Sequence, residues 1–153
     1  RQLRGSEVLG TTREGRKVVV LGDTCDAGLC EPLGRGCDLL VHEATNAFLP
    51  MFGDKGSARE LERETARHGH STPQMAGEFA RKCGARRLAL THFSPRYHGD
   101  ARPESVVLMQ RIERDAVQAR TVLQQEHHEE TRRLQLAARG LEELEAILGA
   151  ALA

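Results

Sequence analysis

No apolar run in this 153-residue chain approaches the roughly 20 residues that a membrane-spanning helix needs, so no membrane partner is expected. Net charge is missing too. Twenty-two basic residues meet 22 acidic ones, which argues against indiscriminate polyanion binding and leaves only local patches to consider. The cysteines at 25, 30, 37 and 83 form no Cys-x-x-Cys pair, which supports neither a zinc knuckle nor a thioredoxin-type motif. They fit a reduced intracellular protein with small buried thiols; cytoplasm, nucleus, mitochondrion and chloroplast are not distinguished. The chain opens on Arg1, with neither an apolar signal region nor a transit-type leader, and is expected to be a fragment or a processed form.

What is present centres on residues 68–97. His68-Gly69-His70-Ser71-Thr72-Pro73 leads into a helix that Thr72 can cap and Pro73 can start. Met75, Ala76, Phe79, Ala80 and Cys83 recur at helical spacing before Gly84 stops the pattern. His70, Ser71 and Thr72 therefore stand beside a helix N-terminus, where free N–H groups and the dipole favour an anion such as phosphate. Leu88-Ala89-Leu90 then reads as a buried strand that delivers His92 at its end.

Two earlier runs repeat that pattern. Lys17 to Leu21 is a β-branched apolar stretch punctuated by Gly22-Asp23-Thr24, and Asp38 to Val41 ends in His42-Glu43-Ala44-Thr45. Between them, residues 25 to 37 are loop with one helical turn near Glu31 to Leu33. Near-continuous apolar strands joined by helix-length segments favour an α/β layer arrangement in which ligands gather at the strand ends. Asn46 to Gly56 is a loop holding Phe48, Leu49, Met51 and Phe52, and Ala58 to Arg67 is a charged surface helix with Leu61 as its apolar anchor.

From Arg81 to Arg102, six bases (Arg81, Lys82, Arg86, Arg87, Arg96, Arg102) meet one acid, Asp100, a footprint able to hold nucleic-acid phosphates. Beyond Pro103, Met109, Ile112, Ala116, Ala119 and Leu123 form a narrow helical seam, repeated from Leu134 to Ala151. Gln124 to Arg133 interrupts it with a polar stretch in which His127 and His128 are solvated. Three parts result: a connecting loop over 1–16, an α/β region over 17–102, and a coiled-coil-like helical tail over 103–153 that offers a partner surface.

Chemistry follows from the strand ends. Asp23 and His92 are candidate metal residues, because a carboxylate can bridge two ions and imidazole is a neutral ligand for zinc. Glu43 can orient a ring nitrogen of His70, a carboxylate–histidine pair suited to passing a proton to a leaving oxygen.

Together Gly22-Asp23-Thr24, His42-Glu43-Ala44-Thr45, His68-Gly69-His70-Ser71-Thr72-Pro73 and Leu90-Thr91-His92-Phe93-Ser94-Pro95-Arg96-Tyr97 resemble, in order and spacing, the C-terminal half of short-form tRNase Z. Val-Val-Val-Leu-Gly-Asp-Thr-Cys-Asp-Ala and His-Glu-Ala-Thr-Asn are similar to the plant and algal forms. This family cuts the 3′ trailer from precursor tRNA.

The resemblance implies the metallo-β-lactamase fold, an αββα sandwich, of which this chain is the C-terminal half followed by a long helical tail. It implies two zinc ions in the complete enzyme, precursor tRNA as substrate and a homodimer. Asp23 matches the aspartate bridging both ions and His92 a ligand of the second. Through the resemblance, His70 and Glu43 are catalytic; Ser71 and Thr72 at the helix start and Arg96 in the basic stretch are the candidate RNA phosphate contacts. In such enzymes a zinc-bound hydroxide attacks phosphorus and His70 helps the 3′ oxygen leave. The family's His-x-His-x-Asp-His cluster is absent here, all seven histidines lying at 42, 68, 70, 92, 98, 127 and 128. The isolated chain is accordingly expected to be inactive. The alternatives are another hydrolase of the same fold, or a non-catalytic remnant that assembles through its tail.

Overall fold

The structure, a computed structural model, describes residues 15–121. Three short strands, β1 (Val18–Val20), β2 (Leu39–Glu43) and β3 (Leu88–Thr91), form one sheet in the order β1-β2-β3. Both pairings are parallel, with Val20 opposite Val41 and Glu43 opposite Thr91. Parallel neighbours need long crossovers, and the chain supplies them as helices. These are α1 (Glu31–Gly34), α2 (Ala58–Arg67) and α3 (Pro73–Lys82), followed by α4 over 103–121. The α/β reading holds. Because all strands run one way, Asp23, Glu43 and His92 follow or end strands at the same edge of the sheet.

Local sequence sets the helix starts. The Thr72 hydroxyl accepts the Met75 N–H at 3.3 Å, Pro73 occupies the first turn, and Gly84 takes φ +61° just past the end of α3. Ser57 and Glu60 form a reciprocal capping box at α2. One face of the sheet is closed by α3, where Leu40, Phe79, Ala80, Cys37, Cys83 and Ala85 are buried together with Val19 and Leu88 packed on them. All four cysteines are free thiols, and burial pushes the Cys83 thiol up.

Two expectations are revised. The sequence reads the strands as buried, yet Val18 is 54% and Val20 68% exposed. Side chains alternate along a strand, so Val19 turns to α3 while Val18 and Val20 share the opposite face with Leu39 and Val41, which the described residues leave largely open. In α2 the buried residue is Thr65 and Leu61 is only half-buried, because the Thr65 side of the helix carries the histidine loop: the Thr65 carbonyl accepts the N–H groups of His68 and His70, each at 3.1 Å.

Helix α4 spends its seam on its own fold. Ile112 is fully buried with Ala47, Leu49 and Tyr97, and Ala116 lies on α3. Residues 1–14 and 122–153, including Leu123, His127, His128 and the second half of the seam, lie outside the described residues. No helix among the described residues is long and apolar enough to cross a membrane.

Two predictions arise from this packing. A Cβ at Gly77 would stand 2.2 Å from the Ala116 carbonyl oxygen and 3.1 Å from the Ala119 Cβ, so Gly77→Ala must force α4 off α3. Overpacking of this kind costs about 1–3 kcal/mol, read as a lower urea midpoint.

His42 is 2% exposed, tilted against Phe79 at 5.7 Å, with Nδ1–H donated to the Glu43 carbonyl at 2.8 Å. Burial holds its pKa below the ordinary value despite that bond. The unfolded chain then binds the extra proton more readily than the folded one. Stability is complete above the ordinary histidine value near 6.5 and falls as pH drops below it, by at most about 1.4 kcal/mol per pH unit. Urea midpoints should show that slope, and His42→Leu should flatten it.

Candidate metal and proton-transfer site

Four chain segments meet at the C-terminal edge of the sheet. Asp23 sits in the turn after β1, Glu43 ends β2, His70 lies in the loop between α2 and α3, and His92 follows β3. His92 is the one non-glycine residue with positive φ, +55°, among the described residues. That conformation is uncommon for a side chain of this size and needs holding in place.

Asp23 and His92 come together, with Asp23 Oδ1 3.3 Å from His92 Nε2. The His70 ring stacks on His92, centroids 5.2 Å apart and planes 24° from parallel. One ligand atom from each of Asp23, His70 and His92 lies within 4.8 Å of the others. An anionic oxygen and two imidazole nitrogens are the donor types that zinc takes, and three protein donors leave one position of a tetrahedral site open. The donor set fits zinc. His70, read from the sequence as a proton carrier alone, shares this cluster and is also a candidate ligand.

Behind the cluster, Glu43 is fully buried. It accepts from the Thr24 N–H at 2.6 Å, the Thr45 hydroxyl at 2.5 Å, the Ser71 N–H at 3.0 Å and His70 Nδ1 at 3.2 Å. Burial alone would raise its pKa, but the donors, led by Ser71, outweigh it and hold the carboxyl below its ordinary value. A carboxylate only accepts, so His70 carries its proton on Nδ1 and turns Nε2 outward.

The proposed phosphate contacts are placed differently. Ser71 is 1% exposed and donates its hydroxyl to the Thr24 carbonyl at 2.5 Å, while the Thr72 hydroxyl, 2% exposed, caps α3. Arg96 forks onto Asp54 at 2.8 and 3.2 Å, donates to the Ala47 carbonyl at 2.7 Å and lies over the Tyr97 ring. These side chains hold the site's loops together and are committed to internal partners. The basic footprint shrinks likewise, because Asp38 and Asp54 arrive from elsewhere in the chain: Arg86, Arg96 and Arg102 pair with Asp38, Asp54 and Asp100. His68 is exposed, with Nε2 3.0 Å from a Glu64 carboxylate oxygen, and stands apart from the cluster. Thr45, which no spacing singled out, touches both Glu43 and His92.

No protein-family model matches the chain. Among curated proteins it is similar to ribonuclease Z of Gemmatimonas aurantiaca, 42% identical over 104 residues, which cover 67% of this chain and 29% of that protein. It is also similar to zinc phosphodiesterase ELAC protein 1 of Mus musculus, 49% identical over 94 residues, 60% of this chain and 23% of that protein. Among solved structures, the short form of human tRNase Z is 42% identical with a TM-score of 0.43, over 54% of this chain and 28% of that one. Over about two thirds of its residues, then, the chain is homologous to the ribonuclease Z (tRNase Z) family, of whose members it spans less than a third of the length.

Proposed function

We propose that this chain supplies the Asp23, Glu43, His70 and His92 part of the active site of a zinc-dependent endoribonuclease that removes the 3′ trailer from precursor tRNA. The observation that carries the reading is the convergence of Asp23, His70 and His92 within 4.8 Å, backed by a buried carboxylate on His70. The relatives' names, ribonuclease Z and zinc phosphodiesterase, agree with that chemistry.

Asp23 and His92 would hold zinc, with His70 within reach of the same ion. Zinc, when bound, activates water and neutralises charge on a transferring phosphoryl group. Glu43 fixes the His70 ring through Nδ1; with the ring protonated on both nitrogens and free of the ion, Nε2–H can pass its proton to the 3′ oxygen as the bond to phosphorus breaks. The products are a 3′-hydroxyl on the tRNA and a trailer that keeps the phosphate. Two zinc ions require donors beyond these, and the sequence contains no His-x-His-x-Asp-His.

The test is to incubate the 153-residue chain with zinc and a 3′-extended tRNA and to measure metal stoichiometry and cleavage. One zinc per chain, without processing at the rate of a complete ribonuclease Z, is expected. Processing at that rate would overturn the incompleteness, and absence of zinc uptake would overturn the metal site.

A further inference from the structure

We infer that Thr45 is a positioning residue that fixes the orientation and the tautomer of His92 and ties it to the Glu43–His70 pair through a single hydroxyl. The inference rests on the metal reading above and adds to it how His92 is aimed.

The Thr45 Oγ1 lies 2.5 Å from Glu43 Oε2, 2.8 Å from His92 Nδ1 and 3.0 Å from the His92 carbonyl oxygen. A hydroxyl has one proton to give and two lone pairs to receive with. The buried carboxylate can only accept, and an O–H donated to it at 2.5 Å is in the short range of charge-assisted bonds, so Glu43 takes the Thr45 proton. What remains on Oγ1 is acceptor capacity. His92 Nδ1 must therefore carry its hydrogen and donate it, and Nε2 of the neutral ring is left with its lone pair facing Asp23 Oδ1 at 3.3 Å. Two electron-rich atoms at that separation are suited to share a cation, and the other tautomer would block the position with a hydrogen.

The backbone of Thr45 works in the same direction. Its carbonyl accepts the Ser94 N–H at 3.0 Å, and the neighbouring Ala44 N–H donates to the Thr91 carbonyl at 2.9 Å. Those bonds hold the turn in which His92 takes φ +55°, and the side chain then sets the ring. Because the hydroxyl also serves Glu43, a shift of the ion-facing ring is felt at the carboxylate that orients His70. The chain Asp23, His92, Thr45, Glu43, His70 is continuous in hydrogen-bonding and ion-pair contacts.

The hydroxyl can be removed while the branched shape is kept. Thr45→Val retains the backbone bonds and leaves Nδ1 without its acceptor, and zinc affinity should drop about 10- to 100-fold, as when the partner of a metal-bound imidazole is lost. Thr45→Ser, which keeps the oxygen, should stay within about threefold of the parent. Equal losses in both variants, or no loss in Thr45→Val, would overturn the inference.

A measurement on the parent chain decides the matter even where Thr45→Val fails to fold. In the zinc-free protein at about pH 8, above the ordinary histidine range, the imidazole ¹⁵N shifts of His92 should report the Nδ1–H tautomer. An Nε2–H tautomer would refute the role of Thr45. That readout involves no metal, so a parent chain that binds no zinc would sink the metal reading while the Thr45 assignment is still settled by the tautomer.

Discussion

His92→Ala is expected to lower the zinc affinity of the chain about 100-fold or more in a competition titration with a chromogenic chelator. Asp23 Oδ1 and His92 Nε2 face each other at 3.3 Å beside the His70 ring, and a zinc site draws its affinity from a few such protein donors. Removing His92 takes away one of the ion's main donors, which releases a metal whose binding energy comes from their sum. Asp23→Asn should behave in the same way. His68→Ala is the control: that side chain is exposed and turned to Glu64, and its loss should leave affinity within about threefold. Retention of full affinity in His92→Ala would place the ion elsewhere.

The second large effect belongs to Glu43→Ala. Four donors converge on this buried carboxylate, two of them backbone N–H groups, those of Thr24 and Ser71, that hold the loops carrying Asp23 and His70. Truncation strips all four of their acceptor. Loss of one side of a buried charged network costs about 3–5 kcal/mol, against a total stability of about 5–15 kcal/mol for a domain. The variant should unfold at far lower urea, or be unfolded at the outset. Glu43→Gln keeps the shape but turns one acceptor into a donor facing donors, so it should also lose stability.

The pH dependence has a definite sign. The folded carboxyl sits below its ordinary value, so its contribution is complete above that value, near 4.3, and is lost as pH falls through the depressed one. A loss under about 1 kcal/mol in Glu43→Ala would contradict the hydrogen-bond assignment.

The strand ends were legible in the sequence because an apolar run that stops at a polar residue carries its own boundary. Parallel strands then bring Asp23, Glu43 and His92 to one edge without further information. The start of α3 was legible for the same reason, since Thr72 and Pro73 act on their immediate neighbours. Contacts fixed by long-range packing were not. Ser71 stands beside a helix N-terminus in the sequence, and only the fold shows its hydroxyl spent on the carbonyl of Thr24, 47 residues away.

Arg96 is basic in any linear count, and its neutralising partner Asp54 lies 42 residues away. Thr45 escaped for a similar reason: its meaning depends on His92, which reaches it only through the β2–β3 pairing. An invitation to look existed in the polar Thr45, two residues past a strand that ends in a buried carboxylate. The seam of α4 was visible as a period, but a period names a face and not its partner, and the partner up to residue 121 is the protein's own core.

The most direct test of the central claim is a zinc-soaked crystal of this chain, with the ion located by its anomalous signal. A zinc ion bound by an Asp23 carboxylate oxygen and His92 Nε2, each about 2.0–2.2 Å away, and lying beside His70, is the predicted result. Zinc bound elsewhere, or Asp23 and His92 turned apart so that no single ion reaches both, would contradict it.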